Sequence, residues 1–405
     1  MSITNILGKR LLFIDGAMGT FLQESGLNAG ELPESMNIRE PALITGIHKA
    51  YIKTGCDIIT TNTFGANRIK LHSTGYEVDE IVAAALHNAK AARDSVESSK
   101  KHYIALDMGP TGKLLEPFGD LPFEDAYNVY SEQASAGEKY GADLVIIETM
   151  TDTYEMKAAI LAVKENTKLP VFATFSFDEK GKLLTGGDIA CAVALLEGLV
   201  VDALGINCSL GPEKMKKFLQ EFTTLSSLPV IVMPNAGMPV IQDGKTVFEA
   251  TPDAFATDML DMALGGAQIL GGCCGTTPAH LKKTIELCSA VTPKPITVKN
   301  ITVVSSYSKT CVIGDKPVVI GERINPTGKK KFKEALLKGD YDYIVEQGIE
   351  QMEAGAHIID VNVGMPGIDE CEAMVRSLQD LQMSLTLPLQ IDSADAAVIG
   401  KSLRI

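Results

Sequence analysis

The chain has 405 residues, of which 45% are hydrophobic, and it carries a formal net charge of −14 at pH 7. This length suffices for one large domain or two, and the acidic balance argues against a nucleic-acid or anionic-membrane partner, which clustered Lys and Arg would attract. Eight cysteines in a chain of this length are too sparse for a disulfide scaffold, so we expect free, catalytic or metal-bound thiols.

The N-terminal stretch MSITNILGKRLLFIDGAMGT lacks the long apolar region and the small-residue cleavage site of a signal peptide. No apolar run approaches the roughly 18 to 20 residues that a membrane-spanning helix needs. These features predict a cytoplasmic protein in a reducing compartment.

A short apolar run that ends in a polar or glycine-rich corner recurs along the first 295 residues, with helical stretches between the runs. The runs begin at Leu11, Cys56, His102, Ala142, Pro170, Val201, Pro229 and Ala267. Near-continuous hydrophobicity is typical of strands buried on both faces of a parallel sheet. Eight such units predict an α/β fold, a (β/α)8 TIM barrel over residues 1–295. A doubly wound open sheet is the less favoured alternative, because no GxGxxG follows the first run.

The barrel pattern stops near Pro293, and Ser and Thr residues predict an exposed linker over residues 296–318. A second βα pattern then begins, with strands in PVVIGERI, HIIDVNV and PLQIDS separated by helices. Three strands leave a long open edge. We therefore expect residues 319–405 to form an incomplete, truncated second βα-barrel segment that is only marginally stable by itself.

Three cysteines fall at the ends of predicted barrel strands, where a barrel of this type builds its active site. Cys208 ends the sixth run, and Cys273 and Cys274 end the eighth. Three thiolates without a fourth suit a catalytic zinc site with one open position. The alternatives are buried apolar thiols and a redox pair, which is disfavoured because CC is not CxxC. We expect the other five cysteines to be buried small hydrophobic residues.

The predicted ligand set indicates a type of reaction. Three thiolates already offset the charge of the metal, so a substrate thiolate bound there would stay electron-rich and nucleophilic. A hydrolytic zinc normally has His or carboxylate ligands, and His280, the only histidine near these cysteines in sequence, is expected to be structural. The pattern therefore favours alkylation of a substrate thiol.

Other polar residues at strand ends are candidates for substrate binding. Asp15 and Glu148 are predicted to bind the ammonium of an amino-acid substrate, assisted by backbone groups of glycine-rich corners such as Gly16. Capping of the following helix is the alternative role for each carboxylate. Asn235 is predicted to fill or flank the open metal position when no substrate is bound.

Three glycines surround the cysteine pair in ILGGCCGT. Adjacent side chains of a regular strand point to opposite faces. Gly271, Gly272 and Gly275 are expected to adopt backbone conformations that Cβ-bearing residues avoid, so that both thiols turn toward one ion.

The motifs DGAMGT, TNTFGAN, GINCS, MPNAG and GGCCGT, in this order at successive strand ends, resemble those of the homocysteine S-methyltransferase family over roughly residues 1–295. The resemblance implies that Cys208, Cys273 and Cys274 are catalytic residues that bind Zn²⁺. It also implies that homocysteine lies near Asp15 and Glu148.

GERINPTG, IDVNVG and QIDS resemble motifs of pterin-binding barrels, and the two modules together resemble the first part of cobalamin-dependent methionine synthases. The resemblance implies pterin contacts at Glu322, Asn325, Asp360, Asn362 and Asp392, for which helix capping is the alternative. It implies methylcobalamin as methyl donor, bound by a cobalamin-binding module, in cis or in trans, that is absent from this chain. 5-Methyltetrahydrofolate would be the methyl source.

The leading hypothesis from the sequence is therefore zinc-dependent methylation of homocysteine to methionine. One alternative keeps the fold and uses another methyl donor, betaine or a sulfonium compound. The other is a truncated protein that binds homocysteine or zinc without catalysis.

Overall fold

The computed structural model describes residues 2–27, 30–242, 245–314 and 316–405. In chain order the strands are β1 Leu12–Phe13, β2 Ile58–Thr60, β3 Tyr103–Met108, β4 Leu144–Met150, β5 Val171–Phe175, β6 Ala203–Asn207, β7 Val230–Met233, β8 Pro239–Gln242, β9 Lys245–Phe248, β10 Ile269–Leu270, β11 Thr302–Ser305, β12 Thr310–Ile313, β13 Ile320–Ile324, β14 Ile358–Val361 and β15 Leu389–Ile391.

The α-helices are α1 Gly19–Glu24, α2 Met36–Arg39, α3 Pro41–Thr54, α4 Arg68–Leu71, α5 Val78–Asp94, α6 Phe123–Lys139, α7 Thr153–Asn166, α8 Ile189–Gly198, α9 Pro212–Leu225, α10 Pro252–Gly265, α11 Pro278–Cys288, α12 Lys330–Lys338, α13 Tyr341–Glu353, α14 Glu370–Ser384 and α15 Ala396–Ser402, and short 3-10 helices cover Ile3–Asn5 and Pro33–Ser35. Every predicted barrel strand is present.

The eight barrel strands form one parallel sheet in the order β1-β10-β7-β6-β5-β4-β3-β2. A further parallel bridge between Ile14 and Ile58 joins the two outer strands and nearly closes the cylinder. The predicted (β/α)8 barrel is confirmed, and the open doubly wound sheet is wrong because such a sheet keeps two free edges. β6 and β10 both pair with β7, which brings the cysteine-bearing ends within one strand of each other.

A buried carboxylate fastens the seam between β1 and β2. The Asp57 side chain is fully buried, accepts from the backbone N–H of Phe13 at 3.0 Å, and pairs with Arg10 at 2.8 Å and Lys100 at 3.0 Å. β1 has only two residues, too few for a long hydrogen-bond ladder. The two cations compensate the buried charge. The Asp57 side chain thus adds a hydrogen bond between β1 and the start of β2, where the short strand forms few of its own.

The barrel strands bury both faces, which explains their unbroken hydrophobicity. Along β3, Tyr103 and Ala105 belong to the cluster inside the barrel, whereas Ile104 and Leu106 belong to the cluster between the strands and the helices. This alternation follows from the two-residue repeat of a strand. Polar side chains at the strand ends therefore depart from the pattern and mark the carboxyl face.

Two hairpins were not predicted. β8 and β9 pair antiparallel directly after β7, on the carboxyl face. β11 and β12 pair antiparallel inside the predicted linker and pack against α8. Residues 302–313 of the predicted linker therefore form a hairpin, in which Val303, Val304 and Cys311 are partly buried while Val312 and Ile313 are exposed. Residue 315 of the linker and residues 1, 28, 29, 243 and 244 of the barrel lie outside the described residues, and the boundaries at 295 and 318 stay predictions.

The C-terminal segment has its own parallel sheet, β13-β14-β15, with helices α12 to α15. Its hydrophobic cluster, which includes Phe332 and Met374, is separate from the clusters of the barrel. Arg404 fastens the segment to the barrel through Glu124 at 2.6 Å and Glu165 at 3.1 Å. Three βα units with β13 and β15 at the edges match the prediction for this region.

Among the described residues, none of the helices combines the length and apolarity that crossing a membrane requires. The cytoplasmic location stays a prediction.

Candidate metal and substrate site

The carboxyl ends of the barrel strands surround a cavity of about 230 Å³. Its lining includes six of the residues predicted from sequence, namely Asp15, Gly16, Glu148, Cys208, Cys273 and Cys274. Predicted site residues from the ends of four strands, β1, β4, β6 and β10, therefore converge on one space. Asn235, the seventh, lies behind the cysteines and is buried.

The Cys208, Cys273 and Cys274 sulfurs all lie within 4.8 Å of one another. A tetrahedral zinc with bonds of about 2.3 Å needs sulfurs about 3.8 Å apart, so small side-chain adjustments suffice to hold an ion. No other group of three potential ligands is this compact in the part of the chain that the structure describes. The residues present therefore fit a three-thiolate metal site.

The remaining five cysteines are separate from this cluster. Cys56, Cys191 and Cys288 are buried, as expected, but Cys311 and Cys371 are only partly buried. The expectation of full burial is wrong for these last two, because one lies in the β11–β12 hairpin and the other in the first turn of α14.

The backbone around Cys208 has an uncommon conformation. Cys208 and Ser209 have φ angles of +57° and +53°, in the left-handed region that side-chain-bearing residues seldom adopt. The N–H of Cys208 donates to Met233 O at 3.0 Å, and that of Cys273 to Pro234 O at 2.9 Å. The backbones of Cys208 and Cys273 are therefore both hydrogen-bonded to the end of β7, which sets the distance between the two residues. Such conformations cost energy and cluster at functional sites.

The three glycines around the Cys273–Cys274 pair act in two different ways. Gly275 has a φ of +76°, as expected. The expectation is wrong for Gly271 and Gly272, whose φ is not positive; they are needed for space. A Cβ on Gly272 would lie 2.4 Å from Thr276 Oγ1. That hydroxyl donates to Cys273 O at 2.7 Å and accepts from Ala17 N at 3.1 Å, so Gly272 lets Thr276 fix the cysteine loop.

Negative charge concentrates on one sulfur of the cluster. Hydrogen bonds from Cys273 and Cys274 lower the pKa of Cys208 to about 3. The contact with Cys208 in turn raises the pKa of Cys273 and raises that of Cys274 to about 12. The Asn235 amide also donates to Cys208. Asn235 Oδ1 is buried and has no hydrogen-bond partner among the described residues, which leaves an oxygen available beside the thiols.

The two predicted carboxylates border the cavity and cap no helix. Asp15 accepts from the N–H of Thr60 at 3.0 Å and from its hydroxyl at 2.9 Å. Asp152, not Glu148, caps α7. Burial raises the pKa of Asp15 to about 8. Burial also raises the pKa of Glu148 to about 8, assisted by the negative charges of Cys208 and Asp15. The helix-capping alternative is therefore wrong for both.

Sequence reasoning missed two further carboxylates that line the cavity, Asp107 and Glu34. Asp107 lies near the end of β3, so the strand-end rule that selected Glu148 would also have found it. Glu34 lies in a short 3-10 helix between β1 and α3, and no pattern in the sequence marks it. With Asp15 and Glu148 they make the cavity strongly acidic.

An amide links the strand ends that carry Glu148 and Cys208. Asn207 Oδ1 accepts from the N–H of Thr149 at 2.8 Å and from the Thr174 hydroxyl at 2.9 Å, and its Nδ2 donates to Thr149 Oγ1 at 2.8 Å. Thr149 has a φ of +62°. Asn207 therefore holds Thr149 in a left-handed conformation and links the residue after Glu148 to the residue before Cys208.

His280 has a structural role, as expected. Its Nδ1 is engaged by Thr277, and its Nε2 lies 2.9 Å from Ala250 O. Both ring nitrogens are occupied at the start of α11, which leaves neither for a metal.

The structure brings most of the predicted pterin residues together at the carboxyl ends of β13 to β15. Asn362 Nδ2 donates to Asp392 at 2.9 Å. Burial raises the pKa of Asp360, assisted by the charges of Asp392 and Glu322. Asn325 lies just after β13 and accepts from Thr327 N at 2.8 Å; among the described residues no hydrogen bond joins its side chain to the other four.

These residues do not cap helices: Asp369 and Asp395 cap α14 and α15, and no side chain caps α12. The helix-capping alternative for the predicted pterin residues is wrong. Their side chains instead pair with neighbours at the strand ends, as Asp360 does with Gln390 Nε2 at 2.7 Å.

Comparison with known proteins gives two family matches. The model of the family described as homocysteine S-methyltransferase matches residues 12–288, and that described as pterin binding enzyme matches residues 321–405. Methionine synthase of Mycobacterium tuberculosis (strain ATCC 25618 / H37Rv) is 32% identical over 418 residues, which cover 99% of this chain and 35% of that protein. Methionine synthase of Mycobacterium leprae (strain TN) is 31% identical, with 98% and 35% coverage. The chain thus spans about a third of the length of these relatives.

Among solved structures, the metallated form of the homocysteine methyltransferase MmuM from Escherichia coli superposes with a TM-score of 0.59 at 24% identity, covering 68% of this chain and 96% of that one. The apo form gives a TM-score of 0.56 at the same identity, covering 69% and 96%. At this identity the likeness supports the barrel fold alone.

Proposed function

Because the chain belongs to the homocysteine S-methyltransferase family, we propose that it transfers a methyl group to the thiol of homocysteine and forms methionine. The observation that carries this proposal is the cluster of three sulfurs within 4.8 Å at the edge of an acidic cavity. A thiol-binding centre beside carboxylates is complementary to a substrate that carries a thiol at one end and an ammonium at the other.

Cys208, Cys273 and Cys274 would hold a zinc ion, and Asn235 would fill or flank the fourth position before substrate arrives. When bound, the ion would lower the pKa of the substrate thiol so that its thiolate is available at neutral pH. The buried Oδ1 of Asn235, which has no partner among the described residues, supports the role of this amide.

Asp15 and Glu148 would bind the substrate ammonium. They line the same cavity as the thiols. Burial raises the pKa of both groups to about 8, and an ammonium bound beside them would favour their charged form. Gly16 contributes backbone to the same wall. Fixing both ends of the substrate orients its sulfur and reduces the entropic cost of the reaction.

The methyl group would reach the sulfur from outside the barrel. A cavity of about 230 Å³ is smaller than the roughly 300 Å³ at which pockets for drug-sized ligands begin, so it suits a small amino acid and not a corrinoid. We propose methylcobalamin as donor, carried by a cobalamin-binding module in cis or in trans. Cys208, Cys273 and Cys274 would hold the substrate thiolate through the zinc ion, and the donor, when bound, would supply the methyl group to that sulfur.

The test is methionine formation by the purified chain. With zinc bound, we expect about one metal ion per chain and methylation of homocysteine from free methylcobalamin, because the three thiolates form one site. Chelation is expected to abolish the reaction, and added zinc to restore it.

The same assay separates the alternatives. Faster transfer from betaine or from a sulfonium compound would replace methylcobalamin as donor. Homocysteine binding without transfer from any donor would favour a protein that binds only. Full activity after removal of the metal would contradict the proposal.

We further propose that the C-terminal module contributes to binding 5-methyltetrahydrofolate, the source of the methyl group. Its match to the pterin-binding family and the Asp360, Asn362 and Asp392 cluster support this. Glu322 and Asn325 would add contacts from the neighbouring strand end. Carboxylates and amides of this kind pair with the donor-rich edge of a pterin ring.

For this module, replacing Asp360 by Asn is expected to weaken binding of 5-methyltetrahydrofolate to the chain by about tenfold, since a hydrogen bond to a charged group contributes roughly 1.5 kcal/mol or more. Isothermal titration calorimetry measures the change. Asp342→Asn, an exposed aspartate in the first turn of α13, is the matched control. Equal affinities of the wild-type chain and of Asp360→Asn would contradict the assignment of Asp360.

A further inference from the structure

Phe64 contributes the one aromatic ring that lines the cavity in the part of the chain that the structure describes. It lies in the loop between β2 and α4, and its side chain is partly buried. The proposed function uses the thiols and the carboxylates of this cavity and gives the ring no role. An apolar ring among polar strand ends therefore needs its own explanation.

Phe64 and Cys208 follow strands on opposite sides of the barrel. In the order of the barrel strands, joined at the seam by the bridge between Ile14 and Ile58, β2 is four strands from β6 in either direction. Both residues follow the carboxyl ends of their strands, on the face where a barrel of this type binds substrate. A substrate whose sulfur is bound at the cysteines would therefore extend toward the Phe64 ring.

The ring rests directly on Gly109, the residue that follows β3. A Cβ added to Gly109 would lie 2.4 to 2.5 Å from three carbon atoms of the Phe64 ring. Two carbon atoms that are not bonded to each other prefer a separation of about 3.5 to 4.0 Å. Any side chain at position 109 would therefore displace the ring, and the glycine is required because it leaves space for Phe64.

The backbone beneath the ring is held by hydrogen bonds. The N–H of Gly109 donates to Phe64 O at 2.9 Å. The Tyr130 hydroxyl donates to Glu155 Oε1 at 2.8 Å and lies 3.3 Å from Gly109 O. Lys70 Nζ is 5.2 Å from the centroid of the Phe64 ring, a distance at which a cation attracts an aromatic face. These contacts make the ring a fixed part of the cavity wall.

We propose that Phe64, supported by Gly109, is a specificity-determining residue that limits the length of the thiol arm of the substrate. This rests on the proposed function and deepens it. With the sulfur bound at the cysteines and the ammonium at Asp15 and Glu148, an additional methylene has to be accommodated against the fixed ring. One methylene changes binding to an apolar pocket by roughly 10- to 200-fold. The cavity therefore selects homocysteine over its longer homologue.

The test is calorimetric titration of the zinc-loaded chain with homocysteine and with 2-amino-5-mercaptopentanoate, which has one more methylene. The wild-type chain is expected to bind homocysteine at least about 10-fold more tightly. Phe64→Ala should lower this preference by about 10-fold, because the longer arm enters the space that the ring leaves. Phe64→Leu, which keeps an apolar side chain of smaller size, should give an intermediate preference.

Gly109→Ala tests the support of the ring. Its added methyl group is expected to displace the ring and to raise the dissociation constant for homocysteine by about 10-fold, since overpacking costs roughly 1 kcal/mol or more. In the Phe64→Ala background the same change should alter that constant by less than about twofold, because no ring is left to displace. General damage to the barrel would not depend on Phe64 in this way.

Phe218→Ala is the matched control. Phe218 is a partly buried phenylalanine on α9 that packs against Phe177 outside the cavity lining, and its loss should leave the preference between the two thiols unchanged. An unchanged preference in Phe64→Ala, or an equal effect of Gly109→Ala with and without the ring, would overturn the assignment.

Binding is measured without methyl transfer, which keeps this proposal distinguishable from the proposed function. A chain that shows the expected preference but forms no methionine from any donor would refute the proposed function and leave the length limit standing. A wild-type chain that binds neither thiol would refute both.

Discussion

Replacing Cys273 by alanine is expected to abolish zinc binding and to reduce homocysteine methylation by at least about 100-fold, since even the loss of a partner behind a metal ligand costs 10- to 100-fold. The sulfurs of Cys208 and Cys274 alone leave a two-thiolate site, which lacks the three protein ligands typical of a catalytic zinc centre. Metal analysis of the purified variant and methionine formation from methylcobalamin measure the two effects.

Cys311→Ala is the matched control, because Cys311 is a partly buried thiol in the β11–β12 hairpin outside the sulfur cluster. It removes one sulfur and should leave both metal content and activity unchanged. Unchanged zinc content in Cys273→Ala would show that the metal lies elsewhere. Unchanged activity with lost zinc would separate the metal from the reaction.

The sequence alone was sufficient to place this cluster because parallel strands impose a strong rule. Every barrel strand ends on the same face, so a polar residue after an apolar run is placed there without knowledge of the three-dimensional structure. Cys208 and Cys273 were predicted in this way, and so were Asp15 and Glu148. The (β/α)8 prediction also implies the strand order, since consecutive units of a barrel are neighbours.

What the sequence did not show depends on contacts between distant segments. Glu34 reaches the cavity from a loop whose path no local pattern determines. The left-handed backbone at Cys208 is not indicated by a glycine in the sequence. Gly272 is required because a Cβ there would clash with Thr276, and not because of its backbone conformation. The sequence predicts a linker where the β11–β12 hairpin lies, because short strands rich in Ser and Thr have no clear alternation of apolar and polar residues. Each of these features is set by tertiary packing.

Asn207 is the residue where such packing has the largest expected consequence. Replacing it by alanine removes one buried hydrogen bond to Thr174 and two partly buried ones to Thr149. The loss is expected to cost roughly 3 kcal/mol in the free energy of unfolding. Without the amide, Thr149 is no longer held at its φ of +62°. Urea denaturation measures the loss of stability, and kcat/KM for homocysteine is expected to fall by about tenfold or more, as when positioning groups are lost.

A loss of stability alone would not distinguish a positioning role from general damage to the barrel. Asn88 makes the distinction, because it is also a buried amide, on α5, and donates to Asn37 O at 2.9 Å away from the sulfurs. Asn88→Ala should destabilise the barrel by about 1 kcal/mol and leave kcat/KM per folded molecule unchanged. Asn207→Ala should lower it, because Asn207 directly precedes Cys208 and holds the residue that follows Glu148. Equal kcat/KM values in the two variants would show that Asn207 has only a structural role. A fall in Asn207→Ala alone would show that this amide positions the thiol-binding and ammonium-binding residues of the cavity relative to each other.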